Sequence, residues 1–523
     1  ASSEDIQQAV QEINSSIGDR PIEELFDLPA MVDAQKLAAM QVAASMVSAC
    51  YGVGSSLFAL VTALQVNLSI QYGNSRTSAY SYSFYGVILN NFLQDVTVAD
   101  RFCRLAYRLA SGADAKNIRS ASCVVIAALL YHRKSHLRET LPIFQAGYQA
   151  GLETGNLEFV GYNGHGFCLN SYWCGQPLAE LEPQILAYRQ QLLDLNQLAT
   201  ANYCSIYWET TLFLLGNPNN LEISFEQEGY EEKLVSQSLA SNDFYRLCIF
   251  YMYRVTLRFL LGDIAGASVD VDRARQYIAG SVGSISEAGL YFYDSLIALA
   301  TPESETELET QRQRVQENQR KLQHWAQHAP MNYLHKWQLV EAEKYRVARE
   351  RAEAIEMYDR AISGAKENEY IQEQGLANEL AAKFYLDWGK EKVAQAYMQE
   401  AYYCYARWGA KAKIDDLEKR YPQLLAPILQ ARENRFGISE TSLHTSNKSS
   451  VLHQTWHTTL SNSSTIYEAL DFATILKASQ TLSSEIKLEK LLAALMCVVM
   501  ENAGAKKAVL LLLKDGNLAI EAV

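Results

Sequence analysis

The sequence predicts an all-α protein, a helical-repeat solenoid of about eight or nine helix pairs over residues 1–430, followed by a short α+β segment. Three observations carry this. Only 10 prolines occur in 523 residues, and apolar positions recur with the 3.6-residue period of a helix as far as about residue 430. A small–large–small triplet at i, i+4 and i+7 returns along that region. Turn-forming glycines stand about five residues before several of its copies.

The triplet reads Ala59-Ala63-Val66, Ala99-Cys103-Ala106, Thr140-Phe144-Gly147 and Glu180-Gln184-Ala187, then Ala267-Val271-Ala274, Ala354-Tyr358-Ala361 and Ala394-Met398-Ala401. Successive copies are about 40 residues apart, and weaker ones near Leu221 and near Arg312–Val315 complete the series. Small residues two turns apart let a second helix lie close, and the larger residue between them fills the groove. Gly54, Gly175, Gly262 and Gly389 supply the turns. The stretch Leu380-Ala381-Ala382-Lys383-Phe384-Tyr385, then Trp388-Gly389, Ala394, Met398 and Ala401, resembles a tetratricopeptide repeat with a longer period than usual. The four alanines 354, 361, 394 and 401 are expected at buried helix–helix contacts.

After Lys419-Arg420-Tyr421-Pro422 the composition changes. Residues 431–465, rich in Ser, Thr, Asn and His from Ile438 on, read as a linker. Residues 466–523 open a new domain: a helix from about Tyr467 to Gln480, a second over Leu488–Glu501, then two apolar runs around Asp515-Gly516. That last pattern is a strong hairpin signal. Both ends of the chain read as cut, so the sequence is expected to be an internal piece of a larger protein.

Several longer runs carry a family resemblance. They are Lys36-Leu37-Ala38-Ala39-Met40, Gln65 to Asn74 (QVNLSIQYGN), His136 to Leu141 (HLRETL) and Gly151 to Phe159 (GLETGNLEF). With Leu476-Lys477-Ala478-Ser479-Gln480 and Glu501-Asn502-Ala503-Gly504-Ala505, the chain resembles cyanobacterial-type multi-sensor signal-transduction multi-kinases over nearly its whole length. The resemblance implies an order of Ser/Thr kinase, AAA-type ATPase, tetratricopeptide-like region, GAF sensor and histidine kinase. It places this chain between the ATPase and a truncated GAF domain, and implies ATP and Mg2+ for the full-length family. None of the matching runs is a catalytic motif.

Composition narrows the partners. The net charge of -13 argues against a nucleic-acid backbone binder, which needs clustered Lys and Arg. No apolar run approaches the roughly 18–20 residues of a membrane span. The 9 cysteines lack zinc-module spacing and read as small core residues of a reducing, cytoplasmic compartment.

The chemical motifs read as structural. His136 lacks the acidic neighbour that a phosphoacceptor histidine needs, since Leu137 follows it. The i,i+4 pairs His132/His136, His324/His328 and His453/His457 lack an adjacent carboxylate and read as surface histidines rather than metal ligands. Gly52-Val53-Gly54 and Gly161-Tyr162-Asn163-Gly164-His165-Gly166 lack the Lys-Ser/Thr of a phosphate loop and read as inter-helix turns. No catalytic residue, metal ligand or cofactor of this segment is predicted.

Aromatic clusters remain. Three consecutive helical residues fan over roughly 200°, so not all rings of Phe250/Tyr251/Tyr253 or Tyr291/Phe292/Tyr293 can face one neighbour. Tyr251, Tyr253, Tyr291 and Tyr293, with Arg254 and Arg258, are therefore the candidate binding residues of a concave groove. The function expected is a non-catalytic interaction and coupling region whose partners are proteins or other domains of the same polypeptide. The alternative is a small-molecule sensor with an effector inside the superhelix.

Overall fold

In a computed structural model the described residues are 2–52, 55–112, 115–216, 229–300, 305–431, 510–514 and 517–522. The chain divides into two units, Ala1–Arg420 and Tyr421–Val523. The regular elements of the first unit's described residues are all helices, joined by turns and by one isolated parallel β-bridge between Ala30 and Asn74. It begins with α1 (Ser3–Ile17), α2 (Ala34–Gly52), α3 (Leu57–Tyr72), α4 (Ser78–Asn91) and α5 (Val96–Ala110). It continues with α6 (Lys116–Val125), α7 (Thr140–Thr154), α8 (Leu157–Trp173), α9 (Leu178–Asp194) and α10 (Leu198–Leu214). Next come α11 (Tyr230–Ala240), α12 (Phe244–Leu260), α13 (Ile264–Gln276), α14 (Ile285–Ala300) and α15 (Glu305–His328). The last are α16 (Pro330–Ala348), α17 (Arg351–Glu367), α18 (Ile371–Asp387), α19 (Glu391–Trp408) and α20 (Lys411–Arg420).

From α2 on, most consecutive helices pack against one another in a solenoid of two rows, while α1 packs on α3. From α5 to α19 the odd-numbered helices are amphipathic and bury one stripe. That stripe is the sequence triplet: Ala99, Cys103 and Ala106 on α5, Ala267, Val271 and Ala274 on α13, and Ala354, Tyr358 and Ala361 on α17 are all buried. So are Ala394, Met398 and Ala401 on α19, which makes the four alanines expected at helix contacts core residues. Gly175, Gly262 and Gly389 end their helices with φ of +72°, +80° and +74°, a conformation that a Cβ disfavours.

Two expectations fail locally. On α9 the buried residues are Leu178, Leu181, Ile185 and Leu192, whereas Glu180 and Ala187 are exposed. The triplet there falls on the solvent face, because Leu181 and Ile185 define the stripe one residue further on. The glycines of Gly161–Gly166 are not a turn but the middle of α8. They are small because neighbours touch the helix on several sides. A methyl group at Gly166 would lie 2.5 Å from the Phe144 ring, and one at Gly161 would lie 2.5 Å from the Thr200 hydroxyl.

The even-numbered helices α4, α8, α10, α12, α14 and α18 are buried almost all round. A helix with an outer row on one side buries its other side only if something fills the interior, and here the array itself does so. Ring contacts join α12 to α8, where Tyr253 packs on Tyr172 with centroids 5.0 Å apart. The Gln372 amide of α18 donates to the Trp173 carbonyl of α8 at 2.8 Å, across 199 residues.

In the second unit, strands β1 (Leu510–Lys514) and β2 (Asn517–Ala522) pair antiparallel, with Lys514 opposite Asn517 across Asp515-Gly516. This is the hairpin that the sequence signals. The linker at 431–465, the helices expected at 467–480 and 488–501, and the weak repeat copy near Leu221 lie outside the described residues.

Gly166→Ala tests the close packing. In an exposed helix this change adds about 1 kcal/mol of stability. Here the clash with Phe144 outweighs that gain, and overpacking of about 1–3 kcal/mol lowers the thermal midpoint measured by circular dichroism.

Candidate binding surface and the closed interior

The six candidate residues separate into two sets. Tyr251, Arg254 and Arg258 lie at i, i+3 and i+7 on α12 and face α11 and α13. Tyr251 is buried, its ring stacked on Tyr277 at 6.3 Å and its hydroxyl donating to Glu231 at 3.0 Å. Arg254 bridges Glu231 and Asp270, with Nε 3.1 Å from the Asp270 carboxylate. Arg258 reaches the same carboxylate at 3.2 Å and is 35% exposed at its side chain. Arg273 of α13 closes the network onto Glu231. Burial pushes the Asp270 carboxyl up against the opposing pull of Arg254 and Arg258.

The other set points inward or toward α15. Tyr253 is fully buried between Tyr172 and Tyr207. Tyr293 is buried against Phe259, 5.7 Å away edge-on. The Tyr291 ring lies under Lys321, whose Nζ is 4.2 Å from its centroid. The rings fan out as helix geometry requires, yet each direction ends on another helix. As rings lining an open groove, Tyr251, Tyr253, Tyr291 and Tyr293 are displaced by this packing. Of the six, only Arg258 keeps substantial exposure.

What holds the interior shut leaves no periodic signal in the sequence. After α6 the chain makes a π-turn at Ile126–Leu130 and tight 3-10 turns at Tyr131–Arg133 and Leu137–Glu139. This irregular path aims His132 and Arg133 inward. His132, expected on the surface, is wholly buried. Its Nε2 donates to the Ala128 and Gly283 carbonyls at 3.1 Å, so Nδ1 accepts from the Tyr333 hydroxyl at 2.5 Å. The Arg133 guanidinium lies 4.1 Å from the Trp325 ring centroid and 3.4 Å from the Glu287 carboxylate.

Asn332 of α16 is the hub. Its amide nitrogen donates to the His132 and Ser135 carbonyls at 2.7 and 2.8 Å. Its oxygen accepts from Leu137 N–H at 3.0 Å and from the Tyr370 hydroxyl at 2.8 Å. All four hydrogen-bonding positions of the amide are filled. Next to it, Glu373 of α18 pairs with His335 and with Lys336 at 2.7 Å, all three buried. Glu379 pairs with Lys383 and Lys413 at 2.7 and 2.9 Å, and accepts from the Tyr405 hydroxyl. Despite burial, those lysines hold Glu379 down at about 2.

His136 forms a local cap: its ring accepts from Arg138 N–H while the Glu139 carboxylate accepts from its backbone N–H. It also reaches the Asn368 carbonyl at 3.0 Å, beside an open cleft of about 290 Å3 lined by His136, Arg138, Glu139, Glu367, Asn368 and Glu369. A second open cleft, about 480 Å3, lies between α1 and α3. None of the six candidates lines either cleft. His324 and His328 are half-buried neighbours on α15, with rings 5.1 Å apart. Among the described residues no group of three His, Cys, Asp or Glu is placed to hold a metal ion, and the eight cysteines are free thiols.

No family model matches the chain. Over 61 residues it is 43% identical to the hybrid signal transduction histidine kinase G of Dictyostelium discoideum, a stretch covering 12% of this chain and 2% of that protein. The chain thus spans a small fraction of the curated relative it matches. Among solved structures it is similar to a circular tandem repeat protein with novel repeat topology and enhanced subunit contact surfaces. That likeness covers 90% of this chain and 95% of the other at 12% identity, with a TM-score of 0.17. The first likeness supports a relation to signal-transduction kinases. The second is too distant in geometry to bear on function. No helix among the described residues is long and apolar enough to cross a membrane.

The buried titratable groups set a pH optimum. Burial pulls the imidazole pKa to about 3 at His132 and His165 and to about 4 at His335, where Lys336 adds to the effect. Unfolded, each binds a proton below its usual 6.5. The unfolded state therefore gains protons as pH falls, and stability drops by roughly 1.4 kcal/mol per pH unit for each group. Glu209 acts oppositely. It is buried without a hydrogen bond, and burial pushes its carboxyl up to about 8, so it keeps a proton that the unfolded chain releases above about 4.5. Stability should peak near pH 6.5, measured as the urea midpoint from pH 4.5 to 8.5. Glu209→Gln should flatten the alkaline side, and a pH-independent midpoint would contradict these assignments.

Proposed function

We propose that this chain is the non-catalytic interaction and coupling region of a multidomain signal-transduction kinase. It would join an upstream ATPase and protein kinase to a downstream GAF sensor and histidine kinase, in the cytoplasm. The observation that carries the reading is the 43% identity over 61 residues to a hybrid signal transduction histidine kinase, on a chain whose first unit is a helical-repeat solenoid. Tetratricopeptide-like repeats suit the role, because they offer long faces to neighbouring domains. The partners are then domains of the same polypeptide or other proteins, with Arg258 and the charged network of α11–α13 at hand.

ATP and Mg2+ belong, on this reading, to the flanking catalytic domains. Phosphoryl transfer needs a phosphate cradle, a cation and a positioned acceptor. The glycines of α8 are spent on helix packing, and His136 is spent on a cap. The rival reading, an effector held inside the superhelix, needs an enclosed cavity of roughly 300–1,000 Å3. The rings of Tyr172, Tyr207, Tyr253 and Trp408 occupy that space, which favours the first reading.

Two measurements test the proposal. Immobilised chain should retain the purified flanking ATPase and GAF–kinase pieces of its own polypeptide, and failure to retain either removes the linking role. Calorimetric titration with Mg-ATP and a radiolabelled phosphotransfer assay should give no heat of binding and no label on the chain. Stoichiometric nucleotide binding, or label on a histidine, would overturn the non-catalytic reading.

A further inference from the structure

Among the odd-numbered helices α11 is held least by apolar contact. Of its residues only Leu234 and Ser238 are buried, and Leu239 is 45% exposed. α9, by contrast, buries Leu178, Leu181, Ile185 and Leu192. Gly229, at the N-cap of α11, offers no side chain to the free N–H groups, and a helix of 11 residues is marginal without tertiary support. The strongest tie of α11 is one carboxylate. The Tyr251 hydroxyl donates to Glu231 at 3.0 Å, and Arg254 and Arg273 pair with it. These donors are oriented without α11: Asp270 of α13 holds Arg254 and Arg258 at 3.1 and 3.2 Å, and the Tyr251 ring is stacked on Tyr277. With Glu231 present, the three arginines 254, 258 and 273 meet three acids, Glu231, Asp263 and Asp270. Without Glu231, one positive charge is left over.

We propose, resting on the interaction role above, that α11 is a detachable lid, and that the surface of Tyr251, Arg254 and Arg273 beneath it receives an acidic helical segment of a partner protein, whose carboxylate takes the place of Glu231. The chemistry of the site selects this occupant. Two guanidinium groups and a phenol converge on one point, and such a set calls for an anionic acceptor. The single charge left over matches a carboxylate rather than a phosphate, which carries about -1.5 to -2. A helix that brings its acid here also meets the surface that Leu234 and Ser238 cover. The segment therefore carries an apolar residue three positions after its acid and a small one four further on. Asp270 and Tyr277 fix the donors before the segment arrives, so little ordering is required of the receiving side. The net charge of -13 opposes an acidic segment over the rest of the surface, so affinity arises from exchange at this one place. Exchange makes binding modest, since only the fraction of chains with the lid open can take the segment.

A fluorescein-labelled peptide of residues 229–242, titrated into the whole chain and followed by anisotropy, tests this. Glu231→Ala in the chain loosens the lid and should tighten binding at least tenfold over the wild-type chain. Glu231→Gln in the peptide should weaken binding at least tenfold. So should Arg273→Gln added to the Glu231→Ala chain, a change at a side chain that is 42% exposed and outside the core. Hydrogen exchange of the wild-type chain saturated with peptide should show α11 losing protection while α12 and α13 keep theirs. Absence of binding to the Glu231→Ala chain overturns the proposal. So does binding that Arg273→Gln leaves intact, or an α11 that stays protected with peptide bound. Self-association of the wild-type chain in sedimentation velocity, lost in Glu231→Ala, would give the site to the α11 of a second copy and overturn the partner segment. The pull-down of flanking domains reads the linking role separately: a chain that retains those pieces yet rejects the peptide keeps that role and loses this site.

Discussion

One buried amide decides what kind of solenoid this is. Asn332 completes four hydrogen bonds to a segment 195–200 residues earlier in the chain and to Tyr370. Burying an amide costs several kcal/mol unless its partners are supplied, so this side chain is tolerated only where the array doubles back and meets itself. The same seam holds the His132–Tyr333 bond, the Gln372–Trp173 bond and the tilted ring contact of Tyr172 with Tyr253. An ordinary repeat array is stabilised by nearest neighbours alone. Here long-range contacts are added, and the concave side becomes a second hydrophobic core.

That core explains the charge distribution. Glu373 and Glu379 are buried acids that persist because Lys336, Lys383 and Lys413 are fixed within 2.9 Å of them. Removing one partner of such a pair leaves an uncompensated charge at a cost of about 3–5 kcal/mol. The pairs bind α16 to α18 and α18 to α20, and Lys413 also donates to the Leu260 carbonyl of α12. A body cross-tied in this way moves as a unit. Stiffness of that kind suits a region proposed to stand between an ATPase and a sensor, since displacement at one end reaches the other.

The local repeat was legible in the sequence; the long-range seam was not. Ala354, Ala361, Ala394 and Ala401 announced helix contacts because a helix neighbour leaves a periodic mark on its own chain. The glycines 175, 262 and 389 announced turns for the same reason. Tyr253 and Tyr293 carry no comparable mark of what lies opposite them. Their rings suit an open groove and a filled core equally, and only the distance from α8 to α18 decides between the two. His132 misled because Arg133 and Lys134 beside it suggest solvent, whereas the π-turn before it swings it inward. Gly161–Gly166 misled because crowded helices and turns both select glycine.

Hydrogen exchange of Asn332→Ala tests the closed interior most directly. The substitution orphans two carbonyls, an N–H and a hydroxyl in the core, at a cost of about 3 kcal/mol. If the seam ties distant helices together, backbone amides of α6–α8 and of α16–α18 lose protection jointly, although about 200 residues separate them. Loss confined to α15–α17, the immediate neighbours of the substitution, would show that the interior is not a shared core and would contradict the account.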